Sequence, residues 1–217
     1  MQKLIFECQS PNIVKKLILG LGAAILMAGI LVFTQYEEPP TKFYSNDFTY
    51  SDIDVMRDAL ASRDLRLSAI TEIADHTVGQ YCTYFDADGR QRPVSYCITT
   101  ALVDSEDTVG NINMGGNKGG KAAMAVALVE SSSIDSTRAE YVFEVMIDAL
   151  VCECWQDVRP GGFASVQEWM AEAQEQFSGS TQSVPLKSRI SGLDQKDLVL
   201  EISQTDGLYL WVLVVAK

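Results

Sequence analysis

The sequence predicts an α+β fold: one N-terminal transmembrane helix, then an exported domain whose mainly antiparallel sheet packs against two or three helices. Three observations carry this prediction. Residues 17–33 read LILGLGAAILMAGILVF, without a charge. Two segments of helical periodicity follow a group of strand-like segments and precede another, which is an α+β order. The last of these, Leu208–Val215, is almost wholly apolar, as in a central strand buried on both faces.

The apolar run spans about 25 Å at 1.5 Å per residue. Thr34 and snorkelling Lys15 and Lys16 extend it, and Tyr36 stands where an interfacial aromatic belongs. It is longer than the apolar region of a signal peptide, and Phe33-Thr34-Gln35-Tyr36 offers no small-x-small cleavage site. An uncleaved anchor over residues 17–34 is therefore expected. Lys3, Lys15 and Lys16 precede it and Glu37 and Glu38 follow it, so residues 1–16 form a cytoplasmic tail and the domain is exported. Gly20, Ala24 and Ala28 fall at i, i+4 and i+8, a small-residue stripe on which a second membrane helix can pack.

Residues 35–49, with Pro39-Pro40, read as a linker, which leaves 50–217 for the domain. Ser51 is a helix N-cap, with Asp52 and Asp54 in the first turn. Ile53, Met56 and Leu60 continue at helical spacing, and the helix ends near Ser62 or runs on to Ala74. Thr77–Phe85 and Pro93–Val103 read as the strands of a hairpin whose turn is Asp86–Arg90. Residues 104–120 read as a polar, glycine-rich loop, and Ala122–Val129 as a strand. The clearest helix covers 137–157, capped by Asp135 or Ser136 and closed by Arg159-Pro160-Gly161-Gly162. A second carries Phe163, Val166, Trp169, Met170, Ala173 and Phe177 on one face. Strands at 186–191, 197–203 and 207–216 complete the chain, with Asp206-Gly207 as the last turn. Trp155, Trp169 and Trp211 fall on apolar stripes or on the buried strand, so all three are expected in the core.

Net charge bounds the partners. The 217 residues carry −12; Lys3, Lys15 and Lys16 against Glu7 give the first 16 residues +2, which leaves −14 on the rest. Such a domain repels phosphate backbones, so nucleic acid is not an expected partner. Apolar content of 47% places the chain among folded rather than disordered proteins.

Of five cysteines, Cys8 lies on the cytoplasmic side of the expected anchor. The other four fit disulfides in an exported domain. Cys82 and Cys97 flank the proposed hairpin and face each other if its loop is Asp88–Gln91. A tight Asp88-Gly89 turn instead sets Cys82 opposite Ser95. Cys152 and Cys154 are about 200° apart around a helix, so they bond to each other only if the helix end unwinds. Otherwise one of them reaches the hairpin. A zinc site needs C-x₂₋₄-C spacing, which neither pair has, and no metal is expected.

Residues 115–122, Gly-Gly-Asn-Lys-Gly-Gly-Lys-Ala, resemble a P-loop up to the last position, where Ala122 stands for the magnesium-binding hydroxyl. The pentapeptide Gly116–Gly120 is also similar to a stretch in inositol polyphosphate 5-phosphatases. That likeness covers five residues, and the family's acidic and histidine motifs do not accompany it. A weaker expectation remains: Gly116, Lys118, Gly119, Gly120 and Lys121 as an anion-binding loop using backbone N–H groups. His76 is the only histidine, which excludes sites needing two imidazoles. No G-x-S-x-G elbow is present, and no catalytic residue or cofactor is assigned.

The function expected is a membrane-anchored extracytoplasmic interaction domain, an accessory or assembly subunit of an envelope or membrane complex. Its partners would be the membrane, other envelope proteins, or further copies of itself. The alternative is an anchored hydrolase using carboxylates with the Gly115–Lys121 loop. An interaction domain should present an apolar face or sheet edge, and a hydrolase a pocket joining carboxylates to Lys118 or Lys121.

Overall fold

A computed structural model describes residues 47–83, 90–91, 94–180 and 184–217, within a compact unit comprising Tyr44–Lys217. The segments 1–16 and 17–34, with Cys8, Gly20, Ala24 and Ala28, lie outside the described residues, as does most of the linker. Among the described residues no helix is long and apolar enough to cross a membrane.

Helix α1 (Asp52–Ala61) leads to two short strands, β1 (Leu65–Leu67) and β2 (Thr71–Ile73), and one helical turn, α2 (Val78–Tyr81). Three long strands follow: β3 (Tyr96–Asp104), β4 (Asp107–Gly116) and β5 (Ala122–Ser131). Then come α3 (Thr137–Leu150), α4 (Trp155–Val158), a 3-10 turn at Pro160–Gly162, and α5 (Val166–Ser178). The chain ends in β6 (Leu186–Leu193), β7 (Lys196–Thr205) and β8 (Leu208–Ala216). All eight strands join one sheet in the order β1-β3-β4-β5-β8-β7-β6, with β2 also on the outer side of β3. Every pairing is antiparallel. The sheet is thus two meanders, β3–β5 and β6–β8, joined through β5 and β8.

Side-chain alternation decides which face the helices cover. Leu102, Ile112, Ala127, Leu213 and Leu200 point into the layer of α1, α3 and α5, and all are buried. Helix α1 packs on α3, α3 on β5 and β8, and α5 on β6 and β7. Trp169 of α5 lies 5.8 Å from Trp155 between ring centroids, and its Nε1 donates to Ser188 Oγ of β6 at 2.8 Å. Trp155, Trp169 and Trp211 are all buried. Ser165 caps α5, its hydroxyl accepting from the Glu168 N–H at 3.1 Å.

Turn chemistry sets the hairpins. Asp206 and Gly207 both adopt positive φ between β7 and β8, the geometry a two-residue hairpin loop needs. Asp194 and Gln195 do the same between β6 and β7, although neither is glycine. The adjoining Lys196 side chain is fully buried, and its ammonium is held by the Asp194 carboxylate at 2.7 Å.

Three expectations need correction, and one alternative is decided. The first helix stops at Ala61 with Ser62 as its C-cap, the nearer of its two expected ends, and Leu65, Leu67 and Ile73 enter β1 and β2. Val78–Tyr81 is helical, not a strand, so the described part of 77–85 forms no hairpin with β3; the expected turn at Asp86–Arg90 lies, apart from Arg90, outside the described residues. Residues 107–116 form β4 rather than a loop, because Ile112 and Met114 are buried in alternation with Asn111 and Asn113. The long helix ends at Leu150, and Val151–Cys154 breaks it before α4.

Candidate functional site

The glycine-rich segment is a hairpin. Gly115 and Gly116 belong to β4, Lys121 directly precedes β5, and the Gly120 N–H closes the turn on the Asn117 carbonyl at 3.1 Å. No helix follows it, so the strand–loop–helix context of a P-loop is missing. Its glycines answer steric needs: a Cβ on Gly116 would meet the Tyr50 hydroxyl at 2.9 Å, and Gly119 adopts φ +72° in the turn. The Lys118 ammonium lies 6.0 Å from the Tyr96 ring centroid. Lys121 pairs with Asp47, which also takes Lys217 at 2.9 Å. Those two lysines hold the Asp47 carboxyl down at about 2. Beside them, burial pushes the Tyr50 phenol up to about 12, with Tyr96 adding to it. The loop is thereby tied to the chain entering at Asp47.

Both cysteine pairs are bonded. Cys82 joins Cys97, which fastens α2 across β3. The bond forms from a helical turn lying on the sheet, not from two facing strands. Cys152 joins Cys154, and the break in the helix after Leu150 makes this pairing possible.

Among the described residues, charged groups line several cavities. One, about 690 Å³, sits at the β3–β4 turn and the start of α3. There Arg138 pairs with Asp104, and Arg63 stacks over Tyr141 at 4.7 Å. A second, about 520 Å³, contains Glu144, Asp148, Glu153 and Asp157. Burial first, then Glu153 and Glu144, pushes Asp148 up to about 6. A third, about 350 Å³, is lined by Asp47, Asp52, Asp148 and Glu153 with Cys152. Neither Lys118 nor Lys121 lines any of the three. Among the described residues no group of three His, Cys, Asp or Glu side chains is arranged to hold a metal.

The second face of the sheet is the most extended feature. Registers across six strands place Ala101, Asn111, Leu128, Val212, Glu201 and Lys187 in one row. The next row is Thr99, Asn113, Val126, Val214, Val199 and Arg189. Helix α2 and its disulfide cover one end, where Ile73, Val78, Cys82, Cys97, Met124 and Ala216 cluster. No other described helix packs there. The centre is apolar and half-buried: Val126, Leu128, Val199, Leu210, Val212 and Val214.

No family model, no curated protein and no solved structure matches this chain. Its function is read from its own surfaces.

Sequence reasoning missed this face as a site. The signal was present in two places. Leu208–Val215 is apolar in both phases of its alternation, and Ala122–Val129 nearly so. A strand apolar on both faces needs cover on both, and among the described elements the second face has it only at the α2 end.

Proposed function

We propose that this protein is a membrane-anchored interaction domain on the extracytoplasmic side, acting as an accessory or assembly subunit of an envelope or membrane complex. One observation carries the reading: the apolar second face of the sheet, centred on Leu128 and Val212. A continuous apolar patch at a polar surface is the signature of a docking site. The two disulfides support an oxidising compartment, as the expected topology requires. The flanking charges of residues 17–34 support the direction of the anchor.

The test is purification of the full chain from its native membrane in mild detergent, beside a Val212→Lys variant. Co-purifying chains recovered with the wild type and lost with the variant support the reading. Retention of every co-purifying chain by a folded variant overturns it.

A further inference from the structure

We propose that the open sheet face is a symmetric dimer interface and that its occupant is a second copy of this chain. The inference deepens the function proposed above by naming the partner, and it rests on that reading.

Charge is the first argument. The chain carries −12, so two copies repel wherever their acidic surfaces meet. That charge is unevenly placed. Helices α1, α3 and α5 hold Asp52, Asp54, Asp58, Glu140, Glu144, Asp148, Glu168, Glu172 and Glu175 against two arginines, Arg57 and Arg138. The open face holds Glu130, Asp197 and Glu201 against Arg66, Lys187 and Arg189, and Lys187 is already paired with Glu201 at 2.9 Å. It is the near-neutral side of a strongly acidic domain. A second copy can approach this face without the repulsion that the helix layer would impose.

Shape and area are the second argument. Six strands at about 4.8 Å spacing, with three rows of side chains about 7 Å apart, give roughly 500 Å² per copy. Two copies would bury roughly 1,000 Å², the lower bound for a specific interface. A two-fold contact requires one patch to be self-complementary. Six interlocking Val and Leu side chains meet that requirement, since sheet faces pack by interdigitation at about 10 Å. The charged residues lie at the rim, where water can reach them.

The full chain is purified in mild detergent, and its oligomeric state is measured by light scattering and native mass spectrometry. The expected result is twice the chain mass, with Val212→Lys and Leu128→Glu each reverting to the single mass while circular dichroism stays unchanged. Those variants could lose the fold as well. Leu128→Cys and Val212→Cys are therefore made separately, and mild oxidation should cross-link each to itself between copies, whereas Glu172→Cys on α5 should not. A Gly20→Leu/Ala24→Leu/Ala28→Leu variant separates the face from the anchor and should remain dimeric. A monomeric wild type overturns the proposal. So does a dimer that survives the face variants but is lost with the stripe variant. If the wild type is monomeric yet the face variants still shed a co-purifying chain, the dimer falls and the interaction reading stands.

Discussion

Gly115 lies directly beneath Cys82. A Cβ at Gly115 would sit 2.9 Å from the Cys82 Cβ and 3.1 Å from its Sγ, with a Val94 methyl at 3.0 Å. The absence of a side chain in β4 is what lets α2 be fastened flat on the sheet by the Cys82–Cys97 bond. Gly115→Ala should destabilise the domain by about 1–3 kcal/mol through overpacking. In a Cys82→Ala/Cys97→Ala background α2 is free to lift, so the same substitution should cost less. Urea unfolding of the four proteins measures this coupling; equal costs in both backgrounds would refute it.

The two disulfides should contribute unequally. Cys82–Cys97 spans 15 residues, and Cys152–Cys154 only 2. In the chain-entropy account the first contributes about 3 kcal/mol and the second about half of that. Double alanine replacement of each pair, followed by thermal unfolding under oxidising conditions, should give the larger loss for Cys82 and Cys97.

Asp148 makes stability fall as pH rises. Its carboxyl is held at about 6 in the folded domain, above its ordinary value of 3.8. Between those pH values the native state keeps a proton that the unfolded chain has released, so ionisation at higher pH disfavours the native state. Asp148→Asn removes the effect. Because the side chain retains much contact with solvent, the gain should be about 1 kcal/mol at pH 7, vanishing near pH 3. Unfolding midpoints at the two pH values check it. A variant no more stable than wild type at pH 7 would exclude Asp148 as the source.

Lys196 and Asp194 form a buried pair at the β6–β7 turn, 2.7 Å apart. Removing only the carboxylate leaves the buried ammonium without its counter-charge, with the Asp194 backbone carbonyl still 3.2 Å away. Asp194→Ala should therefore cost about 3 kcal/mol or more. Adding Lys196→Met to that variant should recover part of the loss, since an apolar side chain of similar length needs no partner. Failure of the second substitution to recover anything would place the cost in the turn's backbone instead.

Legibility in the sequence followed the length of the element and the regularity of its alternation. Helices α3 and α5 and strands β5 to β8 were readable because their apolar positions recur over eight or more residues. Strand β4 was not: its Gly110, Gly115 and Gly116 and its Asn111 and Asn113 imitate loop composition. Three of those residues answer to neighbours distant in the chain, the two late glycines to Cys82 and Tyr50, and Asn113 to the Tyr81 carbonyl, to which its side-chain amide donates at 3.2 Å. Helix α2 was misread because a four-residue turn carries no measurable period. The P-loop likeness misled for a similar reason: spacing alone does not say whether a helix or a strand follows the glycines, and here β5 follows.

The sequence by itself determined the α+β class, the chain order of most elements, the Asp206-Gly207 turn and the acidity of the surface. These depend on local periodicity, turn chemistry and composition, which are properties of short segments. Only the tertiary structure decided that β5 and β8 lie side by side, that Cys152 pairs with Cys154, and that among the described helices only α2 lies on the second face of the sheet. Register and layer placement arise from contacts between residues far apart in the chain, and no short window contains both partners.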